Sequence, residues 1–353
     1  MARVLIVLAS TERRGAEVEG SQLAAELSAA GGDAEVVALH AGAAPSLAVQ
    51  SLGPAPLAIS TLRALRATAA AFDVVVAYGS TTLPACAIAL FGTRIPFVYR
   101  SIGDPARWTR GRFHRWRTGV QFRRARHVVA LWPGAAGSIR RLYRVPPERI
   151  TCIANARPVP DAAAARLRDA ACETLGLPPD ATVVAWVGAL AEEKRPLLAV
   201  DAVAATAGAF LLMAGEGPLR PAVAAACADA LPGRHRLAGV MVPLDPLWAA
   251  ADVVLLTSRT EGMPGVLIEA ALRGVPAVAT DVGAVREIVR DGVTGRVVPE
   301  CADATVIATA LREAVAARAQ LGAAAEQHSR AEFVWPAVLP EWLAVLAEHT
   351  RPA

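Results

Sequence analysis

At 353 residues the chain is long enough for two domains, each with a core of its own. Its 36 basic and 32 acidic residues leave a net charge of only +4, too even a balance for a dedicated nucleic-acid binder, and no nucleic-acid partner is expected. Five scattered cysteines, Cys86, Cys152, Cys172, Cys227 and Cys301, form no Cys-x-x-Cys pair and no metal-ligand spacing; no disulfide framework and no metal site are expected, and the setting is expected to be a reducing cytoplasm.

In chain order, the opening MARVLIVLAS is too short an apolar run for a signal peptide and fits a first buried strand, Arg3–Ala9. Strands are expected next at Glu35–Leu39, Asp73–Tyr78, Pro96–Tyr99, His127–Leu131 and Arg149–Ile153. The uncharged stretches 41–62 and 74–93 are interrupted by Gly, Pro, Ser and Thr, so they read as strand–turn–helix units rather than membrane spans. Asn155–Pro160 and the alanine-rich helical stretch after it make the expected hinge. A second set of strands follows at Thr182–Val187, Phe210–Ala214, Asp252–Leu256, Val275–Ala279 and Gly295–Val298. The tail, Glu332–His349 with Trp335 and Trp342, reads as an amphipathic helix. Strands alternating with helical segments predict an α/β class with two doubly wound layers.

Between Pro105 and Pro147 there is no acidic residue, while eleven arginines occur, Arg107, Arg110, Arg112, Arg115, Arg117, Arg123, Arg124, Arg126, Arg140, Arg141 and Arg144. Trp108, Phe113, Trp116 and Phe122 are interleaved with them. A basic aromatic helix over 107–126 suits an anionic membrane surface or a phosphorylated acceptor; a solvated helix in an arginine-rich protein is the plainer reading.

The most informative stretch runs from Ser258 to Pro299. Glu261 and Glu269 stand eight residues apart, with a Gly-Met-Pro-Gly turn just after the first. A buried strand precedes them, and a helix opening near Pro264 follows. Glu261 then lies in the strand-to-helix loop and Glu269 between one and two turns into the helix, so that both carboxylates stay near one crevice. The helix start between them offers free N–H groups suited to a diphosphate. Carboxylates suit sugar hydroxyls because they accept hydrogen bonds without needing a metal.

This segment resembles the signature of the retaining glycosyltransferases of group 1 (family 4), whose Glu-x7-Glu motif clamps a nucleotide-sugar. The flanking text Gly274-Val-Pro-Ala-Val-Ala-Thr280, Gly283 and Asp291-Gly-Val-Thr-Gly295 agrees with it. The resemblance implies the GT-B fold: two Rossmann-like doubly wound domains facing across a cleft, with the C-terminal helix crossing back to the first. Residues 1–160, with the tail from 332, are then the acceptor side, and 161–331 the donor-binding domain.

The chain has a single lysine, Lys194; its other 35 basic residues are arginine. Lys194 follows a strand and a loop, and matches the lysine of the family's Gly-Arg-Leu-x-x-Glu-Lys segment, whose Arg and Lys meet the donor diphosphate. The arginine position is Ala189 here, with Arg195 the candidate to replace it. Gly215 and Gly217 sit in a strand-end loop where glycines let backbone approach a ligand, or in a plain turn. Val240 and Met241 resemble the segment that meets the base. Gly262, Met263, Pro264, Gly265, Val266 and Leu267 complete the expected donor site. In the first half, Gly15 resembles the loop glycine that faces the diphosphate. The family's histidine position is Ile102, which leaves Asp104 or Arg100 to take over polar work, or the sugar contact absent.

The resemblance implies a retaining, metal-independent transferase that takes a UDP- or GDP-sugar as donor. Its acceptor would be a sugar, a lipid-linked hydroxyl or a small-molecule hydroxyl. Glu261, Lys194 and Asp104 are the expected catalytic residues. Nothing fits Gly-x-Gly-x-x-Gly, so no nicotinamide or flavin cofactor is expected. The expected place is the cytoplasm, including the inner face of the membrane. Two alternatives are a non-catalytic nucleotide-sugar-binding pseudoenzyme and a nucleotide-sugar epimerase.

Overall fold

The computed structural model describes residues 2–42, 47–108, 111–161 and 168–350. The side chains of Arg107 and Trp108, Arg110 from the basic stretch, and the alanine-rich stretch 162–167 lie outside the described residues. The chain divides into two compact units, Met1–Ala156 with Trp335–Ala353, and Arg157–Val334.

The first unit contains β1 (Arg3–Ser10), α1 (Gly15–Ala29), β2 (Asp33–His40), β3 (Gln50–Gly53), α2 (Ile59–Ala69), β4 (Val74–Tyr78), α3 (Thr82–Ala89), β5 (Phe97–Arg100), α4 (Pro105–Trp108), α5 (Arg112–Arg124), β6 (His127–Ala130), α6 (Pro133–Tyr143) and β7 (Ile150–Cys152). The strands form a parallel sheet in the order β3-β2-β1-β4-β5-β6-β7. Every residue of β4, VVVAY, is buried, as befits a strand covered by helices on both faces.

The second unit contains α7 (Arg168–Leu175), β8 (Thr182–Val187), α8 (Pro196–Ala204), β9 (Ala209–Ala214), α9 (Arg220–Ala230), β10 (His235–Gly239), α10 (Asp245–Ala250), β11 (Val253–Leu256), α11 (Gly265–Ala271), β12 (Ala277–Thr280), α12 (Val285–Ile288), β13 (Gly295–Val298), α13 (Ala304–Ala316) and α14 (Arg318–Glu332). Its sheet is also parallel, in the order β10-β9-β8-β11-β12-β13. Val184, Leu211 and Val253 from its central strands pack with Ile307 and Leu311 of α13 in one core.

The last helix, α15 (Trp335–His349), belongs to the first unit, where Trp335, Trp342 and Leu346 join Ile6, Leu8 and Val76 in the core. Trp342 is fully buried, and its ring stacks on Tyr78 with centroids 6.3 Å apart. The division falls at Ala156 and Trp335, a few residues from 160 and 332. Backbone pairing explains it: Arg157 N–H donates to Phe333 O at 2.8 Å, and Arg157 bridges Val334, which keeps both segments in the second unit. The expected tail helix is α15, which begins at Trp335 rather than Glu332, because α14 ends at Glu332 and Phe333 and Val334 separate the two.

Two strands lie outside the expected set, β3 and β10. Both are sheet edges with no fully buried residue, so neither carries the apolar run that marks a central strand.

Candidate functional site

In the second unit the strand order reverses between β8 and β11, which are hydrogen-bonded neighbours. At such a switch point the loops leaving the two strands' carboxyl ends diverge and open a crevice. Lys194 stands on the loop after β8 and Glu261 on the loop after β11. Their side chains meet as an ion pair, Lys194 Nζ to Glu261 Oε1 at 2.6 Å, with Glu261 only 10% exposed and Lys194 27%. Ser258 Oγ donates to the same oxygen at 2.6 Å. A compact ammonium and a carboxylate are thus held together where an open α/β sheet takes its ligand.

Neighbouring groups fix this arrangement. Thr257 Oγ1 donates to the carbonyls of Lys194 and Arg195, at 2.8 and 3.0 Å, and accepts from Trp186 Nε1 at 3.1 Å. Thr280 Oγ1, at the end of β12, donates to Ser258 O at 2.7 Å. Gly283 has φ +56, and a Cβ there would stand 2.4 Å from Glu261 O and 2.5 Å from Gly262 O. Glycine at this place lets the loop after β12 lie directly on the Glu261–Gly262 backbone, where Ala284 N–H donates to Gly262 O at 2.8 Å.

Glu269 lies in the second turn of α11. Its partner is Arg157, Nε to Oε1 at 2.8 Å. The two glutamates of the motif therefore serve separate cations, Lys194 and Arg157.

A family model described as glycosyl transferases group 1 matches residues 181–317, and one described as a glycosyl transferase 4-like domain matches residues 11–156. The chain belongs to the group 1 glycosyltransferases. It is 30% identical over 177 residues to the lipopolysaccharide core biosynthesis glycosyltransferase LpsE of Rhizobium meliloti, covering 49% of this chain and 52% of that one. It is 34% identical over 200 residues to the D-inositol 3-phosphate glycosyltransferase of Mycobacterium avium, covering 52% of this chain and 46% of that one. The chain thus spans about half the length of these relatives. Among solved structures, Anabaena HepE in complex with UDP-glucose superposes with a TM-score of 0.85 at 20% identity, over 99% of this chain and 100% of that one. The sucrose-phosphate synthase of Thermosynechococcus elongatus gives 0.83 at 18% identity, over 99% of both. At that identity the likeness is one of fold, the GT-B class of two α/β units with parallel sheets.

Against the group 1 pattern, several residues have other work in this chain. Arg195, expected at the diphosphate, instead turns to the end of β11, with Nε to Thr257 O at 2.6 Å and a terminal nitrogen to Ser258 O at 3.3 Å. Burial there pulls its guanidinium below the ordinary arginine range, with Arg259 adding to the effect. Gly215 and Gly217, read as a ligand-approach loop or a plain turn, permit a close approach to the loop after β8. A Cβ at Gly215, φ +139, would stand 1.8 Å from Gly188 O, and one at Gly217 2.6 Å from Leu190 O. Leu190 N–H donates to Glu216 O at 3.0 Å across the same contact. Met263 and Leu267 are buried in the core, and Gly262, Gly265 and Val266 stay partly exposed. Pro264 is the N-cap residue of α11, and Leu267 N–H already donates to its carbonyl at 3.1 Å. Val240 is exposed at the end of β10, with Met241 half-buried beside it.

In the first unit Gly15 opens α1 with open space where a Cβ would point. Asp104 is a capping residue: Oδ1 accepts from Ala106 N–H at 2.9 Å, and Oδ2 from Ser138 Oγ at 3.2 Å. Arg100, the other substitute for polar work, is fully buried. It ties Glu19 of α1, at 3.0 Å, to Ile153 O and Asn155 Oδ1, at 2.5 and 2.9 Å, and lies 5.4 Å from the Trp342 ring centre. That is a structural cation. Of the side chains that hold the site, sequence reasoning missed Arg157, Ser258, Thr257 and Thr280. Ser258 and Thr280 lie inside the Ser258–Pro299 stretch; Arg157 and Thr257 are ordinary residues whose role appears only once the loops are folded.

Proposed function

We propose that this chain is a retaining glycosyltransferase that moves a sugar from a nucleotide-diphospho-sugar to a hydroxyl acceptor without a metal. The observation that carries the reading is the Lys194–Glu261 ion pair, at 2.6 Å, at the switch point of the second unit, with Glu269 on the adjoining helix. Donor binding exchanges this pair for ligand contacts. The diphosphate draws Lys194, Glu261 accepts hydrogen bonds from the sugar hydroxyls, and Glu269 accepts from the ribose. As the anomeric carbon–oxygen bond to phosphate breaks, negative charge grows on the departing diphosphate, and Lys194 stabilises it most in the transition state. The acceptor oxygen bonds to the anomeric carbon on the same face, and its proton passes to the leaving phosphate oxygen.

Uridine is the base to test first, since HepE, similar in fold, was crystallised with UDP-glucose. The two named relatives act, by their names, in lipopolysaccharide core synthesis and on D-inositol 3-phosphate. They suggest an acceptor that is lipid-linked or phosphorylated. The exposed face of α5 suits such an acceptor, or an anionic membrane surface: Phe113 and Trp116 are 72% and 63% exposed among arginines. The division into an acceptor-side first unit and a donor-binding second unit belongs to the same reading. Donor consumption measured with and without candidate acceptors tests it. Turnover that requires an acceptor supports transfer. Binding without turnover would make the chain a pseudoenzyme, and isomerised donor with no acceptor an epimerase.

A further inference from the structure

Arg157 is the first residue of the second unit, and nothing in its surrounding sequence suggests a role in ligand binding. Its backbone is pinned to the returning chain by the hydrogen bond to Phe333 O, at 2.8 Å, and the bridge to Val334. Its side chain, 9% exposed, runs to α11, where Nε donates to Glu269 Oε1 at 2.8 Å. A terminal nitrogen of the same guanidinium lies against Gly265, filling the place of a side chain: a Cβ at Gly265 would fall 1.6 Å from it. Gly265 and Glu269 stand four apart, one above the other on the same helix face. The planar fork therefore spans one helical turn, wedged at Gly265 and bonded at Glu269.

We infer that Arg157 is a positioning residue for Glu269, aiming its carboxylate at the ribose hydroxyls of a nucleoside diphosphate. Glu269 keeps 26% of its side chain exposed, and its Oε2 has no protein hydrogen bond among the described residues. One oxygen is anchored and the other faces outward as an acceptor. A guanidinium does this better than an ammonium because its donors are fixed in a plane. The inference rests on the reading of Glu269 as the ribose contact.

Ribose preference is the readout, taken as the ratio of dissociation constants of the 2′,3′-dideoxy nucleoside diphosphate and its ribose counterpart, using the best-binding base. Calorimetry on the full chain is expected to give a wild-type preference of about tenfold or more, the size of a lost hydrogen bond to a charged group. Arg157→Gln is expected to bring the ratio close to one, as is Glu269→Gln, while inorganic diphosphate binds the Arg157 variant as it binds the wild type. The double variant is expected to lose no more than Glu269→Gln alone, because both changes act through one carboxylate. A merely structural role would lower the melting temperature and leave the ratio intact. Full wild-type preference in Arg157→Gln overturns the inference; should that variant fail to fold, the same result in Arg157→Lys does so. A wild type that binds nucleoside diphosphates with no ribose preference removes the Glu269 contact itself, and the positioning role with it.

Discussion

Lys194 is the only ammonium side chain in the protein, and its 2.6 Å contact with Glu261 gives it a measurable consequence. On the proposed mechanism Lys194→Ala should cut kcat by about 10²- to 10³-fold, as for removal of one transition-state donor, and Lys194→Arg should recover little of it. Steady-state kinetics with the identified donor checks this. Another residue-scale consequence concerns acid. His127 of β6 and His349 of α15 stack with ring centres 4.4 Å apart in the first unit. Burial, with His349 adding to it, pulls His127 down to about 4, and burial pulls His349 below its ordinary value too. Since the folded value lies below the unfolded one, near 6.5, the unfolded chain takes up the proton first as pH falls. Stability is thus unaffected above 6.5 and declines from there to about 4. The midpoint of chemical denaturation should fall over that window in the wild type, and fall less in His127→Gln. The sequence showed Lys194 as its single lysine and the two glutamates by their spacing and flanking text; it hid Arg157, which lies 112 positions from Glu269. It also made Arg100 a polar candidate, because burial among Glu19, Asn155 and Trp342 comes from three separate elements.

At the scale of elements, the buried central strands were legible because they are continuous apolar runs between turn signals. The edge strands β3 and β10 were not, since half their surface faces solvent and their sequences, QSLG and HRLAG, carry no such run. The loop glycines had an intelligible need for small size, yet the neighbour that demands it could be named only from the fold. For Gly215 that neighbour is Gly188 O, and for Gly283 the carbonyls of Glu261 and Gly262. Helix α5 shows its character in both descriptions. Phe122 faces inward against Tyr143, with ring centres 4.7 Å apart, while Phe113, Trp116 and Val120 remain exposed among arginines. Apolar anchoring and charge attraction act together on a membrane surface. Replacing Phe113 and Trp116 by serine should therefore weaken co-sedimentation with phosphatidylglycerol vesicles about tenfold or more, on the order of 1–2 kcal/mol of lost apolar transfer. Donor affinity should not change, and equal sedimentation of variant and wild type would assign α5 to solvent.

For the whole molecule, two parallel-sheet units, the Glu-x7-Glu motif in one of them and membership of the group 1 glycosyltransferases all support the proposed sugar transfer. What the sequence could not name, the base, the sugar and the acceptor, depends on side chains that meet a ligand rather than each other. The most direct test of the account is a thermal-shift panel of UDP, GDP, ADP and dTDP and their sugar conjugates, with NAD as control, in the presence of EDTA. One nucleotide family should raise the melting temperature, by the equivalent of about 2.7 kcal/mol at a hundredfold excess over its dissociation constant. The shift should disappear in Glu269→Ala. No shift with any nucleotide, or one that survives in Glu269→Ala, would contradict the donor site proposed for the second unit.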